Sequence, residues 1–369
     1  MESMGSCSGE REDGKPGAQR VAVYACYDAH GGYDESDLLY LRELRTIAQV
    51  VILVADNEFS NEAYSALKAT GLCDHIIVGR HGEYDFGSYK RGFLWALENG
   101  LLDATDELIF CNDSCYAPVH PFLPIFREMS STGCDFWGLC KSSEVREHVQ
   151  SFFVVFRPNV FLSVAFNNFM VGIHRQPTVN EVVLEYEIGL SRLLEQKGYI
   201  SLGYVKGPSP RERRISFGNH LNMSLYYPIW MMEHGFPLVK KKALNIPNYN
   251  QEGGLDTLDV MMRFNPNLNA TNLGLDEVEL AGLKPIATTS YSLPQVVRMR
   301  LCNLWRRGRQ KGVIGVLSVA KGRFIDRVTV SLARLRRLLF IDLAKKHNCA
   351  IITAHGTDTA KTRPQTPID

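Results

Sequence analysis

Short apolar runs alternate with amphipathic stretches through the first third of the chain, and this alternation constrains the fold more than any other feature. The strand-length runs and the stretches with helical spacing lie, in chain order, at 21–27, 36–48, 50–54, 61–70, 75–78, 84–99 and 107–111. Strands that are apolar throughout and joined by helices are typical of a parallel sheet covered on both faces. The sequence therefore predicts an α/β fold with a mostly parallel sheet flanked by helices.

The pattern changes after residue 135, where the spacing of predicted elements becomes less regular. These elements are two strands, a helix that stops at a glycine, a loop-like stretch, a short helix and an extended segment, at 136–138, 150–156, 179–198, 203–222, 226–234 and 236–244. Gly198 is the predicted stop, because glycine is favoured just past the end of a helix.

Composition divides the chain into five predicted parts. They are a disordered leader, an α/β domain, a linker or irregular segment rich in Asn, Gly and Pro, a basic helical extension and a disordered tail, at 1–19, 20–245, 246–290, 291–348 and 349–369. The leader is polar and has no apolar segment of the kind that signal peptides need.

Charge and cysteine content exclude several classes of protein. A formal net charge of +1 argues against a chain attracted as a whole to nucleic acid. The nine cysteines are odd in number and form no CxxC pair, so they predict neither a zinc site nor a disulfide framework. No run of eighteen or more apolar residues occurs. We therefore expect a reducing, cytoplasmic location.

Acidic residues follow three of the predicted strands. Asp28, Asp56 and Asp113 stand at or just past the ends of the first, second and fourth strands. Functional groups of open α/β sheets gather just outside the carboxyl ends of the strands. These three residues therefore predict a binding cleft at that edge.

The segment from Glu107 to Pro118 carries the most informative polar group. Its apolar strand leads directly into Asn112, Asp113 and Ser114. A carboxylate at this point can ligate a divalent cation that bridges the diphosphate of a nucleotide. All three residue types also favour turns, so a plain turn is the alternative.

The predicted helix at 84–99 begins with residues suited to an anion. Its terminus offers free N–H groups and the positive end of the helix dipole. Asp85 and Ser88 are candidate caps, and Lys90 and Arg91 are candidate phosphate ligands. A capped surface helix with two solvated cations accounts for the same residues.

Glu187 lies near the buried edge of the helix predicted at 179–198. It follows Tyr186 and precedes Leu190, which both belong to the apolar face. A carboxylate held there can act as general base toward a hydroxyl group. The alternative is a surface glutamate paired with Arg192 or Lys197.

Together these segments resemble the rhamnan synthesis protein F family. The matching stretches, in family order, are VAVYACYDAHG (21–31), YDFGSYKRGF (84–93), DELIFCNDSCYAP (106–118), DFWGL (135–139), QSFFVVFR (150–157), YEIGLSRLLEQKGY (186–199) and EHGFPLVKKKAL (233–244). The resemblance implies a GT-A-like glycosyltransferase with a Rossmann-type nucleotide-binding half.

The resemblance also implies roles for particular residues. Asp56 would face the nucleobase, and Asn112-Asp113-Ser114 would replace the Asp-x-Asp metal motif. Glu187 would be the general base, because Leu190-Ser191 through Gly198-Tyr199 resembles the LS-x-x-L-x-x-x-GY that follows such a base. Two departures stand out: the motif has a single carboxylate, and Ala117 stands where a glycine is expected.

The activity implied is transfer of a sugar from a nucleoside-diphosphate donor, dTDP-L-rhamnose by resemblance, to a glycan or lipid-linked acceptor with inversion. Mg²⁺ or Mn²⁺ at Asp113 is the implied cofactor. One alternative is a non-catalytic sugar-nucleotide-binding or scaffold protein of polysaccharide assembly. Another is a nucleotidyltransferase, although Asp28-Ala-His-Gly-Gly is only a weak phosphate loop.

The predicted basic extension interleaves Arg and Lys with Trp, Phe and Leu. Basic amphipathic helices of this composition can lie on anionic lipid. We expect peripheral contact with the cytoplasmic face of the membrane, where a lipid-linked acceptor would be found. The alternative is that these helices pack on the catalytic domain with a solvated basic face.

Overall fold

The computed structural model describes residues 17–28, 31–116, 118–218, 220–245 and 250–283. Most of the predicted leader, Ala117, the basic extension at 291–348 and the predicted tail lie outside the described residues. The six cysteines of the described ranges are all free thiols.

An eight-stranded sheet forms the centre of the described structure. Ten strands occur in the described ranges, and in chain order they are β1 (Arg20–Cys26), β2 (Val50–Ala55), β3 (His75–Val78), β4 (Glu107–Asn112), β5 (Cys115–Tyr116), β6 (Phe136–Ser142), β7 (His148–Val149), β8 (Phe153–Phe156), β9 (Ser201–Val205) and β10 (Val239–Lys240). The sheet has the order β3-β2-β1-β4-β8-β6-β7, with β9 paired to β6. Strands β5 and β10 form a separate two-stranded ribbon.

Helices cover the sheet. Those of the described ranges are α1 (Glu35–Leu44), α2 (Asn61–Ala69), α3 (Tyr84–Glu98), α4 (Phe122–Ser130), α5 (Pro158–Phe161), α6 (Val164–Val171), α7 (Val179–Val182), α8 (Ile188–Gln196), α9 (Pro210–Ser216), α10 (Met223–Tyr226), α11 (Pro228–Glu233), α12 (Lys241–Asn245), α13 (Gly254–Phe264) and α14 (Glu277–Gly282). A 3₁₀ turn at Leu101–Ala104 precedes β4, and a π-helical turn at Val183–Glu187 joins α7 to α8.

Strand directions bring most strand ends to one edge. Strand β1 pairs in parallel with β2 and β4, and β2 pairs in parallel with β3. Strand β8 runs antiparallel to both β4 and β6. Strand β6 therefore points the same way as β4, and β9 is parallel to β6. The starts of β7 and β8 consequently lie at the same edge as the ends of the parallel strands. We call this edge the carboxyl edge.

Two apolar layers sandwich the sheet, as alternation along β1 shows. Ala22 and Tyr24 belong to the core beneath α1 and α4, whereas Val21 and Val23 belong to the core beneath α3 and α6. Gly92 lets α3 approach the sheet closely, because a Cβ there would come within 2.4 Å of a Val23 methyl group. The sequence prediction of a mostly parallel α/β sheet flanked by helices is confirmed.

The segment predicted as a linker, 246–290, contains two helices in its described part. Helices α13 and α14 bury apolar residues against Tyr116 and Met232 in a third core cluster. Glycine was one of the residues that suggested irregular structure, but Gly253, with φ +87°, stands at the start of α13, and Asp276 caps the start of α14. The linker prediction is therefore wrong for residues 254–264 and 277–282.

The stretch predicted as loop-like, 203–222, also differs. It contains the end of β9 and all of α9. Strand β9 is half-buried along most of its length and has Gly203 at its centre, so it lacks the continuous apolar run that marks a buried strand. Helices α4, α5 and α6 were not predicted either. No helix of the described residues is long and apolar enough to cross a membrane.

Candidate functional site

The turn after β4 lies at the centre of the carboxyl edge. The Asn112 side-chain oxygen accepts the Ser114 N–H (3.2 Å) and the Ser114 hydroxyl (2.6 Å). The Asn112 amide donates to Asp85 Oδ2 at 2.9 Å. Asp113 Oδ2 accepts the N–H of Tyr27, just past β1, at 2.7 Å. Asn112 and Ser114 thus form a hydrogen-bonded turn, and the same turn joins Asp85 to the edge.

Asp85 and Asp113 are half-buried carboxyl groups with raised pKa values. Burial and the negative charge of Glu187 raise the pKa of Asp85 to about 6, against the lowering effect of the Asn112 hydrogen bond. Burial and the charges of Asp37 and Asp85 raise the pKa of Asp113 to about 7. Hydrogen bonds place the three carboxyl groups along one edge: Asp85 accepts from Asn112, Asp113 from the Tyr27 N–H, and Glu187 from the Ser151 N–H at the start of β8.

Glu187 faces the start of β8 from the π-helical turn. Its Oε2 accepts the Ser151 N–H at 2.8 Å and the Ser151 hydroxyl at 2.6 Å, and its Oε1 lies 3.1 Å from His148 Nε2. Burial would raise the pKa of Glu187, but the hydrogen bonds and charge of His148 hold it below its usual value. The surface alternative for Glu187, pairing with Arg192 or Lys197, is wrong. π-helical turns occur frequently at functional sites.

Two lysines reach the site from the β5–β10 ribbon. Lys240 pairs with Cys115 across the ribbon, and the Lys241 N–H donates to Ser114 O at 2.9 Å. Sequence reasoning did not select either lysine. The signal available was the run KKK at 240–242, which follows an extended segment inside a stretch that matches the family.

Asp56 and Asp28 lie at the same edge but have local partners. Asp56 is buried, and its Oδ1 accepts the N–H groups of His81 (2.7 Å) and Gly82 (2.8 Å). This carboxylate therefore shapes the loop that enters α3. The N–H of Asp28 donates to Asn57 Oδ1 at 3.3 Å.

Lys90 and Arg91 form their hydrogen bonds with groups other than Asp85, Asp113 and Glu187. Lys90 Nζ donates to the carbonyl oxygen of Ile173 at 2.7 Å. Arg91 donates to Glu83 Oε2 at 2.6 Å and to the Gly87 carbonyl. The capping prediction is wrong: α3 has Glu83 at its N-cap, without a side-chain cap. Ser88 is buried and lies 3.0 Å from His81 Nε2.

Asp113 was predicted as a metal ligand, and the donor set can be compared with that role. The described residues contain no group of three or more His, Cys, Asp or Glu side chains that could hold a metal ion. One oxygen of Asp113 already accepts a backbone N–H, and the positive charge of Lys241 acts on the same carboxyl. These groups do not fit a metal centre built by the protein alone.

The fold and edge define an α/β protein with acidic side chains gathered at the carboxyl edge of its central sheet. The family model "Rhamnan synthesis protein F" matches residues 51–273, which is more than half of the chain. The chain belongs to the rhamnan synthesis protein F family, and the predicted membership is confirmed. Among curated proteins, no sequence matches the chain.

Three similar solved structures have low sequence identity to the chain and low TM-scores. A 4-diphosphocytidyl-2C-methyl-D-erythritol synthase is 13% identical with a TM-score of 0.33, over 54% of this chain and 96% of that one. The mannosyltransferase Ktr4p from S. cerevisiae is 9% identical with a TM-score of 0.27, over 42% and 59%. Core-mannan synthase A from Aspergillus fumigatus, in its Mn/GDP form, is 9% identical with a TM-score of 0.27, over 41% and 63%.

Proposed function

We propose that the protein is a nucleotide-sugar-dependent glycosyltransferase. It moves a sugar, rhamnose in our proposal, from a nucleoside-diphosphate donor to a glycan or lipid-linked acceptor. The observation that carries the proposal is the placement of Asp85, Asp113 and Glu187 by hydrogen bonds along the carboxyl edge of a chain that belongs to the rhamnan synthesis protein F family. Clefts at this edge are where open α/β sheets bind their ligands.

Glu187 is the proposed general base. A base must be ionised before it accepts a proton, and the donors His148 and Ser151 favour the ionised form of Glu187. The acceptor hydroxyl gives its proton to Glu187 and forms a bond to the anomeric carbon. The bond from that carbon to the diphosphate oxygen breaks, and its electron pair leaves with the diphosphate. One displacement of this kind inverts the configuration.

The donor end of the cleft is proposed to lie at Asp85 and the 112–114 turn. Asp56 supports this end by fixing the loop before α3, rather than through a free carboxylate. The predicted Mg²⁺ or Mn²⁺ at Asp113 stays a prediction. We derive no step through it, because the described residues contain no group of three or more His, Cys, Asp or Glu side chains that could hold the ion.

The first test is a thermal-shift panel of dTDP-, UDP- and GDP-sugars, each with and without Mn²⁺. A ligand present at 100 times its Kd stabilises the folded state by about 2.7 kcal/mol. We expect one nucleotide class to raise the melting temperature. A shift that needs Mn²⁺ and is lost in Asp113→Ala would support the metal prediction. Absence of any shift would reject the proposal in favour of a non-catalytic scaffold.

A cytoplasmic location at the membrane face is proposed for the same reaction. The basic extension at 291–348 is its basis, and this extension lies outside the described residues. The test is co-sedimentation of the full chain with vesicles containing anionic lipid, compared with a chain that ends at residue 290. Equal sedimentation of the two would contradict membrane contact through this extension.

A further inference from the structure

The ribbon of β5 and β10 fixes two neighbouring lysines beside the 112–114 turn. Lys240 pairs with Cys115, the residue after Ser114. The N–H of Lys241 donates to the Ser114 carbonyl oxygen. Both lysine backbones are thus held to the turn that carries Asp113. Their side chains, however, have different surroundings.

The charge of Lys241 is already balanced by acidic groups. Its Nζ lies 3.4 Å from Asp34 Oδ2. Burial would lower the pKa of Lys241, but the charges of Asp37, Asp34 and Asp113 raise it. Lys241 therefore joins the start of α1 to the ribbon, and its charge is committed within the protein.

Lys240 has no such partner in the described part of the chain. Its Nζ lies 3.8 Å from the centroid of the Phe152 ring, and no carboxylate of the described residues forms an ion pair with it. Ammonium groups are attracted to aromatic faces, but this contact leaves the charge unneutralised. The ammonium still acts on Asp85, whose pKa it lowers. The Phe152 carbonyl oxygen accepts the Asn112 N–H at 3.2 Å, so Lys240 is a half-buried cation beside the 112–114 turn.

A diphosphate needs this cation, because the remaining charges at the edge are mostly negative. Asp37, Asp85, Asp113 and Glu187 would repel an anionic donor. Lysine is a common phosphate ligand and acts as a point charge. A fixed cation at the leaving group also stabilises the charge that develops as the bond to the sugar breaks.

We propose that Lys240 binds the diphosphate of the nucleotide donor and balances its charge as it leaves. The inference rests on the proposed function and adds a ligand for its donor. As the bond between the anomeric carbon and the diphosphate oxygen breaks, the electron pair stays on that oxygen. The Lys240 ammonium meets the negative charge and keeps its own proton.

The test compares nucleotide affinities of Lys240→Gln and wild type by calorimetry. The probes are dTDP, UDP and GDP, together with the corresponding monophosphates and nucleosides. We expect Lys240→Gln to weaken binding of the preferred diphosphate by about tenfold or more. Binding of the nucleoside should not change. Lys240→Arg should retain most of the affinity. Lys240→Met keeps the contact of the side-chain stem with Phe152 but lacks the charge, so it should bind as weakly as Lys240→Gln.

Lys242 supplies the matched control, since it belongs to the same lysine run and is exposed. Lys242→Gln should bind the diphosphate like wild type. Equal diphosphate affinity in Lys240→Gln and wild type would overturn the inference and leave the proposed function standing. Failure of the wild type to bind any nucleoside diphosphate would overturn both.

Discussion

Glu187 and His148 form a buried ion pair between the π-helical turn and β7. His148 Nε2 lies 3.1 Å from Glu187 Oε1, and His148 Nδ1 lies 2.7 Å from the carbonyl oxygen of Arg146. Because both ring nitrogens face acceptors, this arrangement favours the doubly protonated, positively charged form of the ring. Burial would lower the pKa of His148, but the bond and charge of Glu187 raise it. The pair therefore keeps Glu187 ionised in the free protein.

Replacing Glu187 tests its role as the base. Glu187→Gln keeps an oxygen that can accept from Ser151 but removes the group that takes the proton. We expect sugar transfer to fall by about 10²–10⁴-fold, the usual contribution of general base catalysis. Donor affinity should stay within about twofold of wild type, since a change in the chemical step need not alter ground-state binding. Transfer rates and calorimetric donor binding are the two measurements.

Glu185 provides the control for that substitution, because it lies in the same π-helical turn and is exposed. Glu185→Gln should transfer sugar at the wild-type rate. If Glu187→Gln lost donor binding together with transfer, Glu187 would hold the fold of the site instead of accepting a proton.

The ion pair also predicts how stability depends on pH. The folded-state pKa of His148 is raised above 6.5, so its contribution is complete below pH 6.5 and is lost as pH rises through the raised value. The pKa of Glu187 is lowered below 4.5, so its contribution is complete above pH 4.5 and is lost as pH falls through the lowered value. The free-energy difference between wild type and His148→Gln should therefore be largest between these limits. Urea unfolding from pH 4 to 9 measures it, and a flat difference would contradict the charged pair.

Asp113 should reduce the stability of the free protein at neutral pH. Its pKa rises from 3.8 to about 7, so the folded state holds a proton that the unfolded state releases across this range. Stability falls as pH rises through that window. Asp113→Asn keeps an acceptor for the Tyr27 N–H and removes the charge. We expect it to raise the unfolding free energy at pH 8 by a few kcal/mol at most, since one pKa unit corresponds to about 1.4 kcal/mol.

The gain from Asp113→Asn should be much smaller near pH 4, where the folded wild type holds the proton and the pH is close to the unfolded pKa of 3.8. Asp103 is an exposed aspartate of the 3₁₀ turn, and Asp103→Asn should change stability little at either pH. Equal effects of Asp113→Asn on the unfolding free energy at pH 4 and pH 8 would show that burial does not raise the pKa of Asp113.

Much of the sheet could be predicted from the sequence because its strands are apolar throughout. The predicted strand at 75–78 coincides with β3, β2 and β4 end one residue later than predicted, and β1 begins and ends one residue earlier. Strand β9 was not predicted. It is half-buried along most of its length and contains Gly203, so its sequence has no continuous apolar run. Helices α13 and α14 were hidden because their caps and turns are Asn, Gly and Asp, which also mark linkers.

The site divides in the same way. Residues carried on regular elements, such as Asp113 after β4 and Glu187 on its helix, could be selected from their places in the sequence. Lys240 could not, because only the pairing of β10 with β5 brings it to Asp113, across more than a hundred residues of chain. His148 became visible only through its contact with Glu187. Pairings of this kind depend on tertiary contacts that periodicity does not encode.

The sequence and the structure suggest different roles for Lys90. Sequence placed it near a phosphate, whereas its ammonium donates to the Ile173 carbonyl at 2.7 Å and joins α3 to the residues after α6. Lys90→Met removes this charged hydrogen bond and leaves a carbonyl oxygen without its partner. We expect a loss of about 1–3 kcal/mol of stability with unchanged diphosphate affinity. Lys68→Met, at an exposed position in the last turn of α2, should change neither quantity. Weakened diphosphate binding at wild-type stability in Lys90→Met would instead restore Lys90 as a phosphate ligand and place the donor against α3, away from Lys240.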